Sequence, residues 1–463
     1  MLAAQENKKI IIVGAGLTGC CLALFLARRG FDINIYEKRK NFLEINNVTL
    51  ERTVGMSLSE RGCTTLEKLG IKEAVISQST ETYGRISHRD DGSIYKQLYA
   101  TGRKSGILTI DRLSLNKTLL SELKKYKNVN LYFERNIKNL DFEAKSLEFI
   151  NNNGKYESIS YDYLFGADGV FSPCRVSYEN FLNITEQIKP LPIGYIDLRI
   201  PFKDCKDFNL QKDFVHVWTY TKSEKAIFVA LPSYFHEAFL VNIFCPTEWI
   251  KTINLKNNKN EIIDFLSKFF PSIIPILKKI EEESFLGKSS RMFEIECNHW
   301  NYKDSFLLMG DSSHAMSPFY AMGMNTCFES CRVFDELLNS CNNNIGDTIL
   351  QFQNKRKRDT DEMQNFAFEN FHSLTQSTKK TYHTHWKINQ FMSQLYPSYW
   401  KSEYEYISFT NTPFLEVKNK ILSQRDAIHN FSFPKCSTSD EFYSLNKDYI
   451  NKMMGILKQK ELK

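Results

Sequence analysis

The sequence lacks a Cys-x-x-Cys pair, although eleven cysteines are spread over its 463 residues. Neither a zinc knuckle nor a disulfide framework is therefore indicated. An odd set of unpaired thiols fits a reducing compartment, and a cytoplasmic protein is expected. Glycine is sparse, at 20 residues, and hydrophobic residues make up 42%; together these exclude a collagen-like or disordered chain. Charge of neither sign dominates, since 60 basic and 54 acidic side chains leave +6. Nucleic-acid binding needs basic charge gathered on one face. The densest run here, Lys355-Arg356-Lys357-Arg358, is followed at once by Asp359, Asp361 and Glu362. A solvated helix face accounts for it, and no nucleic-acid partner is expected. His383 and His385 stand two apart, on different faces of a helix, so no metal site is expected.

Long apolar runs are also scarce. The longest, Ile10 to Ala27, follows Lys8-Lys9 and contains Gly14, Gly16 and Gly19. It has no cleavage site for a signal peptide and reads as a buried strand (Ile10 to Val13), a glycine turn and a helix (Cys20 to Arg29). A second strand from Asp32 to Glu37 completes a βαβ start, which predicts a parallel sheet. No membrane span is expected. At roughly 150 residues per domain, the length suggests two or three units. Asn151 to Gly154 reads as a hairpin tip. Alternating residues between about 188 and 250, such as Val215-His216-Val217-Trp218, predict an antiparallel sheet. Asn254 to Asn260 and Cys341 to Asn344 read as loops, and the chain from about 346 onward reads as helices broken at Pro397.

Two constellations carry chemistry. The first is Gly14-x-Gly16-x-x-Gly19, with Leu17 and Thr18 between, followed by Glu37. Gly14 allows the tight turn, Gly16 lets backbone N–H groups approach a pyrophosphate, and Gly19 lets the helix lie close on the strand. Glu37 stands where a carboxylate accepts hydrogen bonds from an adenosine ribose. Dinucleotide binding follows. The second constellation is a repeated theme of apolar strand, glycine and aspartate. Leu164 to Gly169 contains Asp168 and leads to Ser172 and Pro173, a cap and first-turn pair. Phe306 to Asp311 leads through His314 and Pro318 to Gly323-Met324-Asn325, which opens a helix. That helix N-terminus would stabilise negative charge on a reduced flavin ring. No second GxGxxG is present, so a separate nicotinamide domain is not expected.

With these motifs the chain resembles the single-component aromatic-ring flavin hydroxylases, which share the p-hydroxybenzoate hydroxylase fold. The likeness is closest to the kynurenine-hydroxylating branch. It implies an α/β fold: a Rossmann-like FAD-binding domain interleaved with an antiparallel-sheet substrate domain, then a helical C-terminal region. The implied bounds are residues 1–75, 105–182 and 296–345 for FAD, 76–104 and 183–295 for substrate, and 346–463 for the helices. It further implies non-covalent FAD, NADPH as co-substrate, O₂, and an aromatic amino-acid substrate, L-kynurenine, hydroxylated at C3 by way of a flavin hydroperoxide. Carried over by position, Arg85 grips the substrate carboxylate, Tyr99 is its hydroxyl partner, and Asn370 and Tyr404 are the other polar pocket residues. Pro318 and Phe319 form the wall beside the flavin. Arg39, Arg112, Asp168, Asp311, Gly323, Met324 and Asn325 join the glycine motif and Glu37 in holding FAD.

The chain departs from the family at several points. Ala321-Met322 replaces Gly-Gln, placing a thioether where a glutamine would face the substrate. Cys327 stands at another family glycine, and Ser373 and Leu374 replace an acid and a methionine. Two alternatives stay open on the sequence: a same-fold hydroxylase of another tryptophan-derived or anthranilate-like aromatic, and an FAD-binding protein without turnover.

Overall fold

The computed structural model describes residues 8–44, 54–89, 92–99, 106–151, 153–208, 210–220, 226–254, 258–285, 289–375, 380–428 and 438–461. Its organising element is a six-stranded sheet. The strand order is Asn301–Tyr302, Phe306–Leu308, Tyr163–Gly166, Ile10–Val13, Ile33–Tyr36 and Val129–Tyr132. The last five are parallel, and Asn301–Tyr302 is antiparallel at the edge. Every residue of Ile10–Val13 is buried, as a parallel strand covered on both faces requires. The helix after it runs from Leu17 to Arg28. The whole apolar segment from Ile10 to Ala27 is thus strand, turn and helix in the core of the domain.

Three neighbouring parallel strands, Ile10–Val13, Tyr163–Gly166 and Phe306–Leu308, end at the same edge of this sheet. The two aspartate motifs and the GxGxxG turn emerge there together, at the carboxyl ends where open α/β sheets bind ligands. Gly14 has φ +104°, and a β-carbon on it would lie 2.4 Å from the Ala167 carbonyl oxygen. Only glycine fits that crossing. Ser172 caps the Pro173–Leu182 helix by accepting from the Arg175 N–H.

A second sheet has seven strands, in the order Ser289–Glu296, Gln187–Pro201, Ala238–Pro246, Ala226–Ser233, Phe214–Tyr220, Gly84–His88 and Ile94–Leu98. It is antiparallel except where Gly84–His88 runs parallel to Phe214–Tyr220. The anticipated antiparallel sheet is therefore mixed, because a segment from early in the chain joins its edge. Trp218 and Phe228 pack into this domain's own core, while Val215, Val217, Ile227 and Val229 face the opposite way, into a cavity. Ser146–Asn151 and Tyr156–Ser160 form the anticipated hairpin. Asn151 Oδ1 accepts from the N–H groups of Asn153 and Lys155 at its tip, and Asn152 lies outside the described residues.

The C-terminal region is helical over Ile345–Thr375, Lys380–Leu395, Glu403–Phe409, Phe414–Ile428 and Ser439–Glu461, with Pro397 between the second and third. Among the described residues no helix is long and apolar enough to cross a membrane. Two expectations are corrected. The stretch from Asn254 to Asn260 is not all loop: one helix ends at Asn254, another begins at Lys259 capped by Asn258, and residues 255–257 lie outside the described residues. The basic run is not simply a solvated face either. Arg356 is buried, reaching Glu329 Oε2 at 2.6 Å and Asp359 Oδ2 at 2.7 Å. Glu329 Oε1 in turn takes a bond from the buried Arg61 at 2.7 Å. Arg61 also donates to the carbonyls of Ile407 and Thr412. This buried network ties the Gly323–Ser340 helix to the C-terminal helices. Three arginines, Arg61, Arg332 and Arg356, share the Glu329 carboxylate there, so burial costs are offset by shared charge and hydrogen bonds.

Candidate active site

The carboxyl edge of the parallel sheet and the inner face of the seven-stranded sheet enclose one cavity of about 1390 Å³. At its sheet end it is lined by Gly14, Gly16, Leu17 and Thr18, with Glu37, Arg39, Arg112, Asp168 and Asp311 around them. A β-carbon on Gly16 would meet nothing within 4 Å, so the cavity reaches the backbone itself. The Leu17–Arg28 helix begins there with no side-chain cap, leaving its first N–H groups for an anion. Glu37 accepts from the Ala15 N–H at 2.9 Å and from Arg39 Nε at 2.7 Å. Burial alone would raise its carboxyl, but the hydrogen bonds and charge of Arg39 outweigh it and hold Glu37 below the usual range. Asp168 accepts from Ser172 Oγ and from the Cys174 N–H; it shapes the turn as much as it faces the cavity. Cys327 also lines the cavity, with its Sγ 3.7 Å from Asp311 Oδ1.

The far end is aromatic and polar. Arg85 lines it and donates from Nε to Gln97 Oε1 at 2.8 Å. Tyr99 follows on the same strand side, its ring 5.2 Å from that of Tyr404, which in turn stacks on Tyr320 at 6.1 Å. Burial pushes the Tyr404 phenol up to about 12 and that of Tyr99 well above its ordinary value, with the Arg85 charge opposing both. Both hydroxyls are therefore neutral donors near pH 7. Pro318 begins a 3₁₀ turn that carries Phe319 against Phe244. Asn370 Nδ2 fixes that turn by donating to the Phe319 carbonyl at 2.7 Å. Tyr320 donates to Glu403, which also pairs with Arg425 at 2.8 Å. Among the described residues no three His, Cys, Asp or Glu side chains converge as a metal-ligand set.

A model of the FAD binding domain family matches residues 7–342, the span that holds the sheet end of the cavity. The chain belongs to this family. With it, the chain is an enzyme of the FAD-dependent aromatic-ring hydroxylase type, as its motifs implied. Curated relatives include the kynurenine 3-monooxygenase of Caenorhabditis briggsae, 28% identical over 91% of this chain and 94% of its own. That of Legionella pneumophila (strain Corby) is 27% identical over 98% and 99%. Among solved structures, 2-methyl-3-hydroxypyridine-5-carboxylic acid oxygenase superposes with a TM-score of 0.66 at 18% identity, covering 81% of this chain and 94% of its own. PqsL of P. aeruginosa gives 0.63 at 17%, covering 81% and 97%. These likenesses show the fold.

Within this flavin-binding frame, most residues singled out in the sequence line the one cavity, although they come from segments as distant as Gly14 and Tyr404. Gly19 and Asn325 do not. A β-carbon on Gly19 would lie 1.9 Å from the Gly14 carbonyl oxygen, so its role is the close contact of helix and turn. Asn325 is fully buried; it donates to the carbonyls of Ser57 and Ala321 and accepts from the Ser59 N–H. It braces the wall from behind. Met322 corrects an expectation outright. It is 1% exposed and packs with Met363, Tyr406, Ile407 and Phe414 in a core of the helical region. It turns from the cavity because Ala321 adopts φ +55°, a left-handed conformation that carries strain for alanine.

Gln97, Tyr320, Glu403 and Arg425 were not singled out in the sequence. Tyr95-x-Gln97-x-Tyr99 has the period-2 spacing that puts Gln97 and Tyr99 on one face, so Gln97 carried a usable signal. The other three lie in separate helical segments and carried none.

Proposed function

We propose that this protein uses NADPH and O₂ to hydroxylate L-kynurenine to 3-hydroxy-L-kynurenine. The observation that carries the reading is a single cavity with a dinucleotide cradle at one end and the Arg85–Tyr99–Tyr404 cluster at the other. Curated relatives similar over nearly the full length include kynurenine 3-monooxygenases, which supports the choice of substrate.

In this reading the GxGxxG turn and the start of the Leu17–Arg28 helix hold the FAD diphosphate, Glu37 the adenosine ribose, and Asp311 and Arg112 the remaining polar chain. The open space at Gly16 and the uncapped helix start fit such a group. Bound FAD supplies the oxygen activation and electron transfer; the protein positions and shields. Arg85 binds the substrate carboxylate through its guanidinium fork, Tyr99 adds a neutral O–H donor, and the Tyr99–Tyr404 stack forms a flat wall beside the substrate chain. Val215, Val217, Ile227, Val229 and Phe244 line the cavity with apolar surface that excludes water. No side chain is assigned as an acid or base. The test is the rate at which NADPH reduces the protein-bound flavin without oxygen, with and without L-kynurenine. Strong acceleration supports the reading; reduction indifferent to every aromatic amino acid offered contradicts it.

A further inference from the structure

Arg85 and Gln97 face each other directly across the antiparallel pair Gly84–His88 and Ile94–Leu98. Cross-strand neighbours on one face are the closest side-chain contacts a sheet provides. Both line the cavity, and Gln97 Oε1 accepts from Arg85 Nε at 2.8 Å. A guanidinium offers five N–H donors in a rigid plane. Fixing Nε orients that plane and leaves the paired Nη groups for a second, planar acceptor. Among the described residues no carboxylate pairs with Arg85, whereas Arg61, Arg356 and Arg425 each hold one. Among the described residues, the one side chain that takes a hydrogen bond from Arg85 is neutral.

We infer that Gln97 is the specificity-determining and positioning residue of the substrate site. It orients the Arg85 guanidinium without neutralising it, so that the cavity selects ligands carrying a carboxylate. A glutamate here would make the same hydrogen bond and complete an ion pair, cancelling the charge the substrate needs and adding an anion beside its carboxylate. A methionine would keep the volume but release the guanidinium plane. The inference rests on the kynurenine reading above and adds the element that enforces its acidic end.

The experiment measures dissociation constants by perturbation of the flavin spectrum in the FAD-loaded protein. The ligands are L-kynurenine and kynuramine, the same molecule without its carboxylate. The proteins are wild type, Gln97→Glu and Gln97→Met. Wild type is expected to prefer L-kynurenine by about tenfold or more, in keeping with a charge-assisted bond. Gln97→Glu should weaken L-kynurenine by a comparable factor, leave kynuramine unchanged or tightened, and recover L-kynurenine affinity as the pH is lowered through the range where the new carboxyl protonates. Gln97→Met should weaken L-kynurenine a few-fold, with no pH-dependent recovery. It also keeps the test alive if the glutamate variant does not fold. Variants that change melting temperature but not the ratio of the two affinities would overturn the inference, reducing Gln97 to a strand-pairing residue. A wild type that binds neither compound would overturn the kynurenine reading and this inference with it. One that binds both equally would overturn this inference alone.

Discussion

Gly310 is pressed against Thr18: a β-carbon on the glycine would stand 2.4 Å from the threonine Oγ1. Gly310 also has φ +70°. The turn after the Phe306–Leu308 strand is thus locked to the first turn of the Leu17–Arg28 helix, and this contact sets the shape of the cradle between them. Gly310→Ala should destabilise the FAD-free protein by about 1–3 kcal/mol through backbone strain and the clash, visible as a lower melting temperature. Gly16→Val should behave oppositely, because space at Gly16 is open. Its FAD-free melting temperature should match wild type, while the purified protein carries no FAD and cannot be reconstituted. Equal melting losses in both variants would contradict this division of labour.

Arg85 makes its claim through binding rather than folding. It is half-buried and, among the described residues, has no ionic partner to lose. Arg85→Ala should weaken L-kynurenine binding by about 2–5 kcal/mol, the range for truncating one partner of a buried charge pair. FAD content and melting temperature should stay near wild type. Isothermal titration against the FAD-loaded variant measures it, and unchanged affinity would remove Arg85 from the site.

Position 322 separates packing from chemistry. Met322 sits in an apolar core beside Met363 and Phe414 rather than at the cavity. Met322→Gln buries an amide without partners and should cost about 1–3 kcal/mol of stability. The ratio of hydrogen peroxide to hydroxylated product per NADPH should not change at temperatures where the variant is folded. A shift in that ratio with unaltered stability would return the residue to the cavity wall.

A pH signature belongs to Asp197, which is buried opposite Asn242. Burial pushes its carboxyl up to about 8 from 3.8. Between those values the folded protein holds a proton that the unfolded chain has released, so stability falls as pH rises through the window, by up to about 1.4 kcal/mol per unit. Below about 4 both states are protonated and the effect vanishes. Asp197→Asn should remove this slope. Urea midpoints at about pH 5 and about pH 8 should converge in the variant relative to wild type; parallel behaviour of the two proteins would contradict the assignment.

Much of the sheet end was legible in the sequence because its requirements are local. A turn that must cross Ala167 closely needs glycine at position 14, and a strand buried on both faces needs four consecutive apolar residues at Ile10–Val13. The alternation at Val215 to Trp218 likewise marks a sheet with one face inward. What was not legible depends on contacts between distant segments. Arg356 reads as one member of a charged surface run until Glu329, 27 positions earlier, and Asp359 are brought to it in the interior. The resemblance sets Met322 where a glutamine would face the substrate, yet the left-handed turn at Ala321 and the packing of the C-terminal helices direct it into their own core. The parallel pairing of Gly84–His88 with Phe214–Tyr220 joins strands some 130 residues apart, and no periodicity reports such a partner.

Whether this cavity hydroxylates kynurenine is decided by product formation from L-kynurenine by the purified yellow protein under air, with NADPH limiting and the product identified by mass and by its ring-proton spectrum. The expected product is 3-hydroxy-L-kynurenine, its formation dependent on both NADPH and O₂. Protein that holds FAD yet converts L-kynurenine to nothing, or hydroxylates a different aromatic in its place, would contradict it.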